Sequence, residues 1–415
     1  MLTTNRLGTL VLAAGLAACA GLCGAGPLNP PVGAIGSTAK PLAEIEPRTA
    51  INAVNTPGDT DSVYKITQPG SYYLTGTLIG VVGKRGIEIA LPTDGPTGTA
   101  LGVVSIDLNG FALETNSNGT GQGGGAGTLE GIKVIGFASV TVRNGVVRGW
   151  GGHGLDLSGP GTVAVTGVSA CDNSGTGIFA PNGAVITNCF ANGNFRVGIE
   201  AGGGSVTDCT ANSNGGDGFS VSIGTISRCT ATGNNENGIH AATCVVTDCV
   251  GRANQMNGFY DNGSATFQRC VADSNAQDGF NLGGETSVTD SVATNNRGDG
   301  IECAFNCTVR GNTCALNGSK NAGHNPGAGA AIHVYGDGNR IEGNTCTQAD
   351  RGVQVDSVRN IIIRNTCRGN TTNWQIAAGN SYGPIVNGGA GAGYTGNGTA
   401  ASSLGSTDPS ANFNY

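Results

Sequence analysis

Apolar residues return to fixed places along this chain. Glycines at 177, 198, 218, 238, 258, 279 and 300 are each followed by Ile or Phe, at intervals of 21, 20, 20, 20, 21 and 21 residues. Looser copies precede them at Gly86-Ile87, Gly131-Ile132 and Gly154-Leu155, and follow them at Ala331-Ile332 and Gly352-Val353. Inside the copies lie short alternations of apolar and polar positions, "CTA", "GFSV" and "TIS" among them, separated by Asn, Gly and Ser. Two-residue alternation marks strands, and the Asn-Gly-Ser clusters mark the turns between them. Strands this short find no partner within one copy, but they can pair with the same strands of the next. The pattern therefore predicts an all-β fold, a single-stranded parallel β-helix (solenoid) of about a dozen rungs, each ~4.8 Å above the last. The leucine pattern of leucine-rich repeats is missing, and no long helical period supports a helical repeat.

Stacking turns equivalent positions into columns. One column reads Asn173, Asn194, Asn214, Asn234, Asn254, Asn275, Asn296, Asn317 and Asn370, broken at Ala349. A stacked amide can bond to the copies above and below while tolerating left-handed backbone, so this column is structural. The glycine column is read as supplying a permissive φ at a second turn. Cys189, Cys209, Cys229, Cys249 and Cys270 share a column with Val168, Ser291, Asn312, Asn344 and Asn365. Two residues on, a run of Ala and Gly gives way to Cys314, Cys346 and Cys367. Small occupants mean inward corners. Rungs ~4.8 Å apart hold stacked Cβ atoms beyond the ~3.8 Å that a disulfide prefers, so free buried thiols are expected. Cys303 and Cys307 are near enough in sequence for a bridge. Asn188, Asp208, Arg228, Asp248, Arg269 and Asp290 form a further column, read as a vertical ion-pair ladder that fixes register.

Composition changes this picture little, and the termini add to it. With 74 Gly in 415 residues there is still no collagen-like period, and the β-branched content argues against disorder. A net charge of −7 without basic stripes excludes a nucleic-acid partner. "MLTTNR" followed by "LGTLVLAAGLAACA" reads as an export signal over residues 1–23. Its end, Leu16-Ala17-Ala18-Cys19, resembles a bacterial lipobox with Cys19 as the lipidated residue, and it also fits ordinary cleavage. The expected location is extracellular, periplasmic or attached to the outer membrane, with membrane contact only through such a lipid anchor. Residues 24–69 read as a linker and lead-in segment, 70–385 as the β-helix and 386–415 as a Gly-rich tail that closes or leaves the fold. The rod is expected to be a monomer.

The phrase I/V-x-x-N/C-x-A-x-x-N-x-x-x-G-I/F resembles the repeats of right-handed parallel β-helices in the pectin-lyase-like superfamily. "VSIDLNGFAL" (Val104 to Leu113) and "VTVRNGVVRGW" (Val140 to Trp150) resemble the opening rungs of its uncharacterised exported bacterial members. The resemblance spans roughly residues 70–385 and implies a right-handed coil. It leaves activity open, because the superfamily includes polysaccharide lyases, hydrolases, epimerases, adhesins and proteins with no known reaction.

The place to look for chemistry is the column two residues after each rung's glycine, which should point outward. It reads Glu88, Lys133, Asp156, Phe179, Glu200, Ser220, His240, Tyr260, Asn281, Glu302, His333 and Gln354, and unlike the others it varies in charge, size and aromaticity. A groove for a glycan could use such a strip: Tyr260 stacks on a sugar face, while His240, Glu302 and His333 can exchange protons. Glu200, His240, Tyr260, Asn281, Glu302 and His333 are therefore the candidate ligand-binding residues, and His240, Glu302 and His333 the candidate catalytic ones. Asp278 and Asp299 share one turn column, which makes them candidates for Ca²⁺, the one cofactor considered. Polyuronate lyases of the superfamily imply a Lys or Arg base, yet Lys320 is the only lysine after Lys133. Gly152-His153-Gly154 resembles the Gly-His-Gly of polygalacturonases, but the chain has no Asp-Asp pair, and His153 is read as turn filler. The Gly-rich stretch 117–128 and the insertion before Ala331, which carries His324, are expected to wall the groove. The expectation is an exported scaffold without a defined catalytic motif that binds polysaccharide or another cell-envelope component. A lyase or glycoside hydrolase of acidic, pectin-like glycans and a purely structural envelope rod are the alternatives.

Overall fold

Strands of three or four residues can satisfy their backbone only across copies, and here they do. The structure, a computed structural model, describes residues 47–92, 102–115, 129–136, 138–159, 161–318, 329–389, 392–395 and 407–414. Cys19, Lys320, His324 and the stretch 117–128 lie outside them. Among the described residues every element is a strand, and the strands form two parallel sheets that run the length of the coil. One has 14 strands in strict chain order, one per rung; the other has 29. In the larger sheet each central rung gives two strands. Gly204–Thr207 pairs with Ala184–Thr187 below and Gly224–Ser227 above, and Thr210–Asn212 pairs with Phe190–Asn192 and Thr230–Thr232. Among the described residues the only antiparallel pair within the sheets joins Ile385–Gly389 to Ala392–Thr395.

Coiling begins earlier than the composition implies. Thr49–Ile51 pairs with Gly70–Leu74, and Ser62–Ile66 pairs with Arg85–Ile89, so the second half of the expected linker is already rung. At the other end, Asn412–Asn414 pairs in parallel with Thr366–Arg368 and with Ile385–Gly389, so the tail closes the fold. Its composition hides this, because a strand that borrows both neighbours needs little apolar sequence of its own.

The asparagine column is a buried ladder. Asn214 N and Nδ2 both donate to Asn234 Oδ1 at 3.0 Å, and Asn234 N and Nδ2 both donate to Asn254 Oδ1 at 3.0 Å. Each amide also donates to the strand before it, as Asn234 Nδ2 does to Ala211 O at 3.1 Å. The cysteine corner works in the same way with weaker groups. Cys229 N donates to Cys249 Sγ at 3.4 Å, and farther along Cys270 N donates to Ser291 Oγ at 3.1 Å and Ser291 N to Asn312 Oδ1 at 2.9 Å. From there Asn312, Asn344, Asn365 and Asn412 continue as a second amide ladder. Thiol, hydroxyl and amide are interchangeable here because the corner needs one small acceptor for the backbone N–H of the rung before.

Three expectations are corrected by the structure. Cys303 and Cys307 are not bridged: both are free thiols, and their Sγ atoms donate to His333 O at 3.4 Å and to Gly283 O at 3.1 Å. The alternating charges resolve into separate exposed pairs instead of a continuous ladder. Arg228 reaches back to Asp208 (2.6 and 2.8 Å) and Arg269 to Asp248 (2.7 and 2.9 Å). These residues, not the glycine column, occupy the left-handed corner, with φ of 51° at Arg228 and 56° at Asp248. The glycine column is small for lack of room: a Cβ on Gly238 would lie 2.6 Å from both Gly258 O and Asn254 Nδ2.

Inside, the core is a file of aliphatic and aromatic side chains. Phe259 and Phe280 stack with centroids 4.7 Å apart, and Phe267 meets them edge-on at 5.6 and 5.9 Å. Trp150 is fully buried and donates from Nε1 to Leu113 O at 3.1 Å.

Candidate functional site

In the three-residue strands of the 14-stranded sheet the middle residue points out while its neighbours point in, and in the five-residue strands the fourth residue takes that place. Phe280 and Leu282 are wholly buried and Asn281 between them is half-buried; Ile301, Glu302 and Cys303 repeat the arrangement. Parallel pairing puts those residues in register from rung to rung. Lys65, Glu88, Lys133, Asp156, Phe179, Glu200, Ser220, His240, Tyr260, Asn281, Glu302, His333, Gln354 and Gln375 form one unbroken outward strip.

The first third of the strip is electrically closed. Lys65 Nζ lies 2.7 Å from Glu88 Oε1, Arg85 Nη1 lies 3.1 Å from Glu88 Oε2, and Lys133 pairs with Asp156. These are structural ion pairs along a parallel sheet. In the middle third, Phe179 stacks on His153 at 4.9 Å. Burial pushes the Glu200 carboxyl above its usual range, against the pull of Arg196. His240 meets the Tyr260 ring edge-on at 5.0 Å.

Beside the strip runs the turn column before each rung's glycine, and it is a third ladder. Asn237 N donates to Asp217 Oδ1 at 2.9 Å, Asn257 N to Asn237 Oδ1 at 3.2 Å and Asp278 N to Asn257 Oδ1 at 3.0 Å. Asp299 N then donates to Asp278 Oδ1 at 2.7 Å, and Ala330 N to Asp299 Oδ1 at 2.5 Å. An asparagine here ends in an amide; an aspartate leaves a second, charged oxygen, and that oxygen turns to the strip. Asp217 Oδ2 lies 3.3 Å from His240 Nδ1, Asp278 Oδ2 accepts from Asn281 Nδ2 at 2.9 Å, and Asp299 Oδ2 lies 2.9 Å from His333 Nδ1.

His153 belongs to the same column. Its Nδ1 accepts the Thr176 N–H at 3.0 Å, as Asn237 Oδ1 accepts that of Asn257. Burial holds the imidazole below its usual pKa of 6.5, against the opposing charges of Asp156 and Glu130 and with the aid of Lys133 and Arg196. A folded pKa below the unfolded one means that this part of the stability is complete above pH 6.5 and is lost progressively as the pH falls from there through the folded value. Thermal melting should therefore fall more between pH 7.5 and 5.5 in the wild type than in His153→Asn, which keeps the acceptor without titrating. Equal slopes would remove this role from His153.

The strip's chemistry converges at its C-terminal end. Asn281 Nδ2 donates to Glu302 Oε2 at 2.6 Å while holding Asp278. Glu302 Oε1 lies 3.7 Å from His333 Nδ1, and His333 Nε2 lies 3.0 Å from Asp356 Oδ2. Asp356 is also held by Gln354 Nε2 at 2.7 Å. Burial, then the charges of Asp278 and Asp299, push the Glu302 carboxyl up to about 7. Burial lowers the His333 imidazole, but Asp299 and Asp356 outweigh it and bring it up to about 9. Tyr335, 46% exposed, stands 6.3 Å from His333 and 6.5 Å from Phe305, itself 54% exposed.

Of the residues singled out from sequence, Asp278, Asn281, Asp299, Glu302 and His333 meet in one place. His240, beside Asp217, and Tyr260 lie farther along the strip, and Glu200 lies beyond them. Asp356 and Tyr335 were missed. Each follows a strip residue, Gln354 or His333, by two positions, and that parity was the available signal.

Comparison with known proteins agrees with the fold. Residues 115–249 match the family model described as a right-handed β-helix region. The match spans about a third of the chain, and the parallel coil of the structure extends beyond it on both sides. Among solved structures it is similar to the Dettilon tailspike protein, at 17% identity and a TM-score of 0.45, over 78% of this chain and 66% of that one. It is also similar to the A-modules of the Azotobacter vinelandii mannuronan C-5 epimerases AlgE6 and AlgE4. The identities are 14% and 16%, both with a TM-score of 0.41, over 75% of this chain and 89% and 91% of theirs. No curated protein matches the chain.

Proposed function

We propose that this protein is an exported scaffold that binds a linear polysaccharide along the outward strip of the 14-stranded sheet. The observation that carries the reading is the strip itself. From Phe179 to His333 it offers half-buried aromatic, amide, carboxyl and imidazole groups in unbroken register, with Tyr335 and Phe305 exposed at its edge. Repeating rungs match a repeating ligand, tyrosine and histidine rings give flat apolar faces for sugar rings, and the polar groups between them bond hydroxyls.

Charge narrows the ligand. Asp278, Asp299, Glu302 and Asp356 surround the single imidazole of His333. A densely anionic glycan meets like charge there, so with no added cation the strip favours a neutral chain.

A panel of neutral and acidic glycans tests this, with Tyr260→Ala measured beside the wild type. Truncating a central aromatic anchor should weaken binding about tenfold. Tyr382→Ala, on the larger sheet and 55% exposed, should leave it unchanged. Silence across the panel, or equal binding by Tyr260→Ala, would overturn the reading. New reducing or unsaturated ends in the same mixtures would replace it with a glycan-cleaving one.

A further inference from the structure

We propose that Asp299, Glu302 and His333 form a binding site for one first-row divalent metal ion, of the Zn²⁺ or Mn²⁺ class. The proposal goes beyond the glycan reading and does not depend on it. The three side chains come from two neighbouring rungs. Asp299 sits in the turn, Glu302 is the middle of Ile301–Cys303, and His333 lies directly above Glu302 in register. Asp299 Oδ2, Glu302 Oε1 and His333 Nδ1 all lie within 4.8 Å of one another. Two of those separations are 2.9 Å and 3.7 Å. Metal–ligand bonds of about 2.0–2.2 Å place two ligands of one ion roughly 3–3.5 Å apart, so these two separations are near what a common ion needs and rotation of the carboxylates can close the third.

What distinguishes this cluster from a chance meeting of charges is that each ligand's other polar atom is already engaged. Asp299 Oδ1 caps Ala330 N at 2.5 Å. Glu302 Oε2 accepts from Asn281 Nδ2, which is anchored in turn on Asp278 Oδ2. His333 Nε2 faces Asp356 Oδ2, and Gln354 fixes that carboxylate. A ligating histidine whose remote nitrogen is held by a carboxylate is the arrangement that orients imidazole toward a metal and raises its basicity. The atoms that converge are Oδ2, Oε1 and Nδ1, whose contacts described here are with one another. Asp278, by contrast, has both oxygens committed, to Asp299 N and Asn281 Nδ2, and is a supporting residue instead of a ligand.

The coil supplies its own control. Asp217 and His240 stand in the same two columns as Asp299 and His333, with Oδ2 and Nδ1 3.3 Å apart. The strip residue below His240 is Ser220, where the strip residue below His333 is Glu302. One pair lacks the third ligand and the other has it. A nitrogen with two carboxylates suits borderline first-row ions, whereas Ca²⁺ seeks six to eight oxygens. Three protein ligands leave the remaining positions open toward the strip.

Calorimetric titration of the chelator-treated full chain with Zn²⁺, Mn²⁺ and Ca²⁺, each alone and with no glycan present, tests the site. Mn²⁺ binding is also followed by its paramagnetic resonance signal, because buried thiols compete poorly for this harder ion. One ion per chain is expected, with Zn²⁺ tighter than Mn²⁺ and Ca²⁺ weakest. Glu302→Gln and His333→Gln should each weaken Mn²⁺ at least tenfold, Asp356→Asn about 10–100-fold, and His240→Gln not at all. Glu302 is half-buried and caps no backbone group in the hydrogen bonds described above, so its variant remains folded, with circular dichroism as the check. Failure to bind Mn²⁺ at one per chain, unchanged Mn²⁺ affinity in Glu302→Gln, or Ca²⁺ binding tighter than Zn²⁺ would overturn the proposal. None of these results touches the glycan panel.

Discussion

Asn234→Ala is expected to cost ~4 kcal/mol, because buried hydrogen-bonding groups left without partners cost about 1–3 kcal/mol each. The substitution removes the sole side-chain acceptor of Asn214 N, one of the two acceptors of Asn214 Nδ2, and the amide donor to Ala211 O. None of these groups can turn to water, since Asn214, Asn234 and Asn254 are all buried to 1% exposure or less. The amides also polarise one another along the stack, so the loss exceeds that of one isolated bond. Coils in a solenoid are coupled mainly to their neighbours, and the damage should be local. Hydrogen exchange should accelerate around residues 211–254 before the ends of the rod respond. Asn235→Ala, one residue away and exposed, loses no ladder bond and should fall within about 0.5 kcal/mol of wild type. Equal melting of the two variants would mean that the ladder is not what holds the turn.

Gly238→Ala is expected to destabilise by ~3 kcal/mol, at the upper end of what overpacking usually costs. The added Cβ would sit 2.6 Å from Gly258 O, 2.6 Å from Asn254 Nδ2 and 3.2 Å from Gly251 Cα. No flexible side chain can give way. Gly258 O already accepts from Ile239 N at 3.0 Å, and Asn254 Nδ2 is fixed within the ladder. Relief therefore requires two rungs to part, which strains the pairing above and below. Gly233→Ala is the contrast. Gly233 has φ of 64°, but its Cβ would meet only Ser213 Oγ, at 3.8 Å, and its column holds Ser213 and Ala253 in the same conformation. That change should cost about 1 kcal/mol. A Gly238→Ala protein melting at or above the Gly233→Ala protein would refute the steric account.

Both predictions turn on a distinction that the chain does not display. Sequence shows that the column of Gly238, from Gly86 to Gly352, is glycine in every rung but that of Ala331 and that the column of Asn234 is nearly always asparagine, and it assigns left-handed backbone to the glycine. In the structure that backbone belongs to Arg228, Asp248, Ser213 and Ala253. Turn chemistry read from residue type fails here because the corner is set by the stacking of rungs, which can hold even Arg or Ala at positive φ. The glycine answers to a clearance that exists only once the next rung is in place.

The candidate site divides along the same line. The outward strip was legible, because a fixed period with two-residue alternation determines which residues share a face and follow one another in register. Asp278, Asn281, Asp299, Glu302 and His333 could all be named as members of two adjacent columns. Their meeting could not be read. Asp299 and His333 are separated by a rung lengthened by the insertion before Ala331, where the period breaks. Which oxygen of an aspartate caps the next turn and which faces the strip is a matter of ångströms, not of residue type. Repetition along the chain determined the coil, its columns and its outward face, because identical short strands have no other way to satisfy their backbone. Only the assembled coil decided that Asp299, Glu302 and His333 turn Oδ2, Oε1 and Nδ1 toward one point, since that depends on partners such as Ala330 N, Asn281 and Asp356, which come from different rungs.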